Sequence, residues 1–129
     1  RFHAGVALAA AAGTPIVAAA DGRVVSAGWA GGYGHAVAIA HAGGLETKYG
    51  HMSRIAAYPG ELVHRGHVIG YVGSTGLSTG PHLHFEVMKN GRPVNSLSVK
   101  SIRGGPGQLE GAKRIAFQNE LRKLLLAGA

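Results

Sequence analysis

The sequence predicts an all-β protein: a two-layer antiparallel sandwich or barrel-like fold followed by one C-terminal helix. Three observations support this fold class. The 129 residues include 22 glycines without a collagen repeat, a composition typical of a turn-rich β protein. Short apolar segments are separated by turn pairs such as Asp21-Gly22, Pro59-Gly60 and Asn90-Gly91. Helical spacing of apolar residues begins at Leu109.

The first elements predict a β-hairpin. The apolar segment 14–20 leads into Asp21-Gly22 and the segment 23–29 returns from it, so we expect Asp21 to be a turn former. The segment 22–25 also resembles 66–69, which is consistent with two related β-halves of a duplicated motif.

Four further segments complete the predicted sheets. The strand at 46–51 is expected to place Tyr49 and His51 on one face, because side chains alternate along a strand. Its neighbour at 36–41 and a short strand at 67–72 have the same apolar character. The glycine- and serine-rich segment 73–80 then predicts a loop.

The segment G-P-H-L-H-F-E-V at 80–87 carries the most informative pattern. His82, His84 and Glu86 alternate with apolar residues, so they share one face of a strand and the apolar residues share the other. Two imidazoles at this spacing can bind one metal ion, or one can bind metal while the other transfers a proton. A solvent-facing strand that carries two histidines without a function is an equally good interpretation of this motif alone.

Composition limits the possible partners and ligands. The chain has no cysteine, so any metal must be held by nitrogen and oxygen atoms. The net charge of +7 suits a polyanion, but the basic residues are scattered, and we expect no nucleic-acid binding. We also expect no membrane span in this fragment, which opens in mid-pattern at Arg1.

Several motifs in order resemble the lysostaphin-type, or LytM-like, zinc endopeptidases, which cut the peptides of bacterial cell walls. The motifs are an opening histidine at His3, G-T-P-I-V-A-A-A-D-G at 13–22, G-G-Y-G at 31–34, Y-G-H-M-S at 49–53 and G-S-T-G-L-S-T-G-P-H-L-H-F-E-V at 73–87. The resemblance implies a peptidase domain over residues 1–100, with a linker and an amphipathic helix at 101–129. It also implies that the protein is periplasmic or extracellular, in the cell envelope of a bacterium. A role in cell division is part of what the resemblance implies.

The resemblance implies a particular arrangement of site residues. His3 and His84 would hold Zn²⁺, and His51 and His82 would be the catalytic residues that flank it. The family's third protein ligand is an aspartate four residues after the first histidine, and that position is Ala7 here. Because a methyl group cannot coordinate zinc, we expect zinc binding to be weakened or lost and cleavage to be impaired.

Two explanations of Ala7 compete, and two other classes of function remain open. The chain is either an isolated ligand knockout of an active hydrolase, which the four intact histidines favour, or a degenerate member that binds peptidoglycan or activates a partner amidase or division protein. A phosphocarrier with a nucleophilic histidine is a further alternative, as is a binding module of the envelope. The remaining histidines are expected to be structural: His35, His41, His64 and His67.

Overall fold

The computed structural model describes residues 5–94, which form nine strands in antiparallel pairing. The strands are β1 Gly5–Ala9, β2 Pro15–Val17, β3 Gly22–Trp29, β4 His35–Ala40, β5 Leu45–Ile55, β6 Leu62–Val63, β7 Val68–Val72, β8 His82–Lys89 and β9 Arg92–Val94. Short 3₁₀ turns precede β4 and β5. The predicted all-β antiparallel class is confirmed. The predicted helix after Leu109 lies outside the described residues.

The long strand β5 connects the two parts of the fold. Neighbouring strands follow the order β1-β8-β5-β4-β3-β6, and β9 extends the sheet from β8. The end of β5 pairs instead with β7, which also pairs with β2. One hydrophobic cluster joins residues of both parts, including Ile16, Tyr49, Ile69 and Leu83, each with no exposed surface.

Strand β8 shows the alternation that the sequence predicts. Its apolar residues, Leu83, Phe85 and Val87, are buried in the cluster, and the Phe85 ring lies 5.4 Å from the ring of Tyr49. Its polar residues are only partly buried on the opposite face. The strand then turns at Asn90-Gly91, where both residues have the positive φ that a tight hairpin requires, and continues as β9. The open face of β8 is therefore free to carry a site.

The predicted hairpin at Asp21-Gly22 is wrong. Strand β2 pairs with β7, and β3 pairs with β4 and β6, so the two segments flanking the pair do not face each other. The alanines before the pair are buried instead, and the Ala19 N–H donates to the Tyr49 hydroxyl. Gly22 is required because a Cβ there would collide with the backbone carbonyl of Ala40. Burial and a close approach therefore override the turn signal.

None of the helices in the 5–94 range is both long and apolar enough to cross a bilayer.

Candidate active site

Three of the four histidines singled out in the sequence lie together on the open face of the sheet. His82 and His84 come from β8, and His51 comes from the neighbouring β5. The ring centroid of His51 is 4.7 Å from that of His82 and 5.9 Å from that of His84. His3 lies outside the described residues.

His51 reaches this face through an unusual backbone conformation. The sequence-based expectation that it shares a face with Tyr49 is wrong: Tyr49 packs on Phe85 in the core, whereas His51 packs on the histidines of the opposite face. His51 has a φ of 61°, in the left-handed region that non-glycine residues seldom adopt. The alternation of β5 breaks at this residue, and the imidazole turns into the groove.

Hydrogen bonds fix the tautomers of two of the imidazoles. Nδ1 of His51 lies 2.7 Å from the carbonyl oxygen of Thr75, and Nδ1 of His82 lies 2.9 Å from the carbonyl oxygen of Gly80. A carbonyl oxygen can only accept a hydrogen bond, so each Nδ1 carries the proton. In the neutral ring, each Nε2 then has a lone pair that can accept a proton.

The third imidazole, that of His84, carries its ring proton on Nε2 and donates it to a carboxylate. Nε2 of His84 donates to Oε2 of Glu86 at 2.7 Å, and the Tyr33 hydroxyl donates to the same oxygen at 2.8 Å. The lone pair of the neutral His84 ring is therefore on Nδ1. Burial, and then the hydrogen bond to Glu86, raise the pKa of Tyr33, so its hydroxyl remains a donor at neutral pH. The ammonium of Lys48 lies 4.3 Å from the centre of the Tyr33 ring.

Sequence reasoning gave no role to Glu86, Tyr33 or Thr75. A signal for Glu86 was present, because it lies two residues after His84 on the same strand face. The contact of Tyr33 joins residues 53 positions apart, and Thr75 acts through its backbone carbonyl. Neither of these two arrangements leaves a pattern in a single sequence.

The donor atoms in the described residues do not make a complete zinc site. Ala7 is paired with His84 across the β1–β8 ladder, so the position of the family's aspartate lies beside the predicted ligand and carries only a methyl group. Across residues 5–94, no three His, Cys, Asp or Glu side chains are grouped so as to hold a metal ion. Of the predicted ligand positions inside this range, only His84 supplies a donor atom.

Two of the imidazoles, those of His51 and His84, line an open groove. A cavity of about 290 Å³ is lined by Ala30, Gly32, Tyr33, His51, Leu77 and His84. A second cavity of about 370 Å³ shares Gly32 and Leu77 with the first and is also lined by Trp29, Gly31 and Gly76. The three glycines among these residues leave part of the wall without side chains, where the backbone of an extended peptide can approach closely.

The remaining four histidines lie in varied surroundings. His41 is buried, with its two ring nitrogens each 2.7 Å from a partner, the carbonyl oxygen of Asp21 and the hydroxyl of Thr47. Burial lowers the pKa of His41. The ring of His35 packs edge-on against Trp29, and the exposed His64 and the half-exposed His67 lie beside carboxylates.

The structure thus defines an all-β antiparallel domain with three imidazoles together on one face of the sheet. The chain belongs to peptidase family M23, whose family model matches residues 1–96. This match confirms the resemblance to the lysostaphin-type peptidases.

Named relatives of the chain are bacterial peptidases. The DD-carboxypeptidase/endopeptidase Mpg of Neisseria meningitidis is 54% identical over 99 residues, which are 77% of this chain and 23% of that protein. The peptidoglycan DD-endopeptidase ShyA of Vibrio cholerae is 39% identical over 127 residues, 95% of this chain and 29% of that protein. The chain thus spans about a quarter of the length of these relatives. The crystal structure of a zinc-containing peptidase from Vibrio cholerae superposes with a TM-score of 0.71 and 37% identity, over 75% of this chain and 30% of that one.

Proposed function

We propose that this chain is a peptidoglycan endopeptidase domain in which Ala7 impairs zinc binding and thereby the cleavage of cell-wall peptide cross-links. The substrate assignment is supported by the DD-endopeptidase relatives and by the groove beside His51 and His84. A peptidoglycan substrate places the domain in the cell envelope or outside the cell. The net charge of +7 favours contact with an anionic cell wall.

The observation that carries the proposal is the position of Ala7 in the ladder. It is paired with His84, the predicted zinc ligand, while three imidazoles and the carboxylate of Glu86 are in place on the same face. Within the described residues, position 7 is therefore the predicted ligand position that carries no donor atom. Disturbing a residue that merely orients a ligand lowers metal affinity by about 10–100-fold, and the loss of an anionic ligand lowers it further.

His51 and His82 are the proposed acid–base residues. Each presents an Nε2 lone pair, so either imidazole can accept a proton from water as the water attacks a peptide carbonyl. The imidazolium formed in this way can donate the proton to the leaving amine, which restores the neutral ring. Positioned acid–base catalysis of this kind contributes about 10²–10⁴-fold to a rate.

Restoration of the carboxylate tests the proposal. We expect Ala7→Asp to raise the rate of cross-link cleavage by at least about 100-fold, assayed by mass spectrometry on cross-linked wall peptides with zinc present. Ala12→Asp is the matched control, because it makes the same substitution at an exposed turn position outside the β1–β8 ladder, and it should stay at the rate of the parent chain.

Two outcomes would contradict the proposal. If the parent chain cleaved as fast as the Ala7→Asp variant, Ala7 would not impair the site. If the variant bound zinc and remained inert on every cross-link, the chain would not be an endopeptidase with one missing ligand. If the parent chain were then recovered bound to intact cell wall, the result would favour a degenerate envelope protein that only binds peptidoglycan.

A further inference from the structure

The loop that joins β7 to β8 contacts two of the three imidazoles. We propose that the loop 73–80 is a positioning element that sets the tautomers of His51 and His82, and that Thr75 is the positioning residue for His51. The proposal deepens the proposed function and rests on it, because it assigns how the acid–base residues are held.

The loop supplies the acceptor for both rings. Its Thr75 carbonyl accepts from Nδ1–H of His51 at 2.7 Å, and its Gly80 carbonyl accepts from Nδ1–H of His82 at 2.9 Å. Ser78 donates to the same Gly80 carbonyl at 2.8 Å. One segment of backbone thus keeps both Nε2 atoms available as proton acceptors, whereas His84 depends on Glu86 instead.

Thr75 ties the loop to the sheet directly beside His51. Its hydroxyl donates to the carbonyl oxygen of Met52 at 2.6 Å and accepts from the N–H of His35 at 3.1 Å. Met52 follows His51 in the chain, so Thr75 holds both the ring of His51 and the carbonyl group of the next residue. A positive φ is unfavourable at a non-glycine residue such as His51, and the hydrogen bonds of Thr75 help to hold His51 in that conformation.

Two glycines let the loop lie against the turn before β4. A Cβ on Gly34 would lie 2.5 Å from the carbonyl carbon of Thr75, and a Cβ on Gly76 would lie 2.5 Å from the carbonyl oxygen of Gly32. The N–H of Leu77 also donates to that Gly32 carbonyl at 2.8 Å. The loop is thus packed backbone against backbone, which fixes the direction of its carbonyls.

The test uses nitrogen-15 spectra of the histidine rings in the full chain, free of metal, at about pH 8, where imidazoles are neutral. We expect both His51 and His82 to carry the proton on Nδ1. In Thr75→Val, which keeps the shape and removes the hydroxyl, we expect the two ring-nitrogen shifts of His51 to move toward each other as the tautomers mix. His82 in the same spectrum should not change, and Thr75→Ser should restore the parent pattern.

Several results would overturn the inference. A proton on Nε2 of either ring in the parent chain would remove the role of the loop, even if Thr75→Val did not fold. An unchanged His51 pattern in a folded Thr75→Val would remove the role of the hydroxyl. Because these spectra need no cleavage, an inert Ala7→Asp variant would contradict the proposed function without affecting this result.

Discussion

The carboxylate of Glu86 is expected to stabilise both the fold and the orientation of His84, and Glu86→Gln measures this contribution. The side chain of Glu86 is only 12% exposed, and one of its oxygens accepts two hydrogen bonds, from His84 and Tyr33. Glutamine keeps the shape but removes the negative charge. A hydrogen bond to a charged group contributes about 1.5–3 kcal/mol, against about 0.5–1.5 for a neutral one. The loss is therefore about 1 kcal/mol for each bond, or about 2 kcal/mol in all.

Thermal unfolding followed by circular dichroism, with a metal chelator present, tests this value. A loss of about 2 kcal/mol should lower Tm by roughly 8 °C in a domain of this size. Glu46→Gln is the matched control, because it removes the same charge from the neighbouring strand β5 and should change Tm little. Equal Tm values for the two variants would show that the carboxylate is not part of a stabilising network.

Two further predictions concern single residues. Because burial lowers the pKa of His41, the folded state binds fewer protons than the unfolded state just below the usual imidazole pKa of about 6.5, and stability should fall as pH drops through this range. Urea unfolding at several pH values tests this: the fall should be smaller in His41→Gln, and an equal fall would contradict the assignment. Gly5→Ala should displace the ring of His84, because a Cβ would lie 2.6 Å from it; unchanged nitrogen-15 shifts of that ring would refute the close contact.

The face of β8 that carries the histidines could be predicted from the sequence because it follows from local alternation. The apolar residues of this strand pack in one core and its histidines and Glu86 lie on the opposite, partly exposed face, so the two-residue alternation of side chains was sufficient to predict the face. The tight turn at Asn90-Gly91 is equally local, since both residues tolerate a positive φ. The family motifs added the identity of the candidate ligands, which alternation alone left open.

The errors arose where contacts distant in sequence override a local pattern. The Asp21-Gly22 pair has the composition of a hairpin turn, but the preceding alanines are buried and hydrogen-bond to the segment just before β7 and to Tyr49. His51 leaves the face that alternation assigns to it because its φ is positive, and a histidine shows no such preference in sequence. The acceptors of its ring proton and of the His82 ring proton are backbone carbonyls, which any residue type would supply.

A calorimetric zinc titration of the parent chain and of Ala7→Asp measures the effect of the missing carboxylate on zinc binding. We expect no measurable heat for the parent at micromolar zinc and clear binding by the variant, with a dissociation constant at least about 100-fold lower. Zinc binding by the parent as tight as that of the variant would show that the site does not need a carboxylate at position 7.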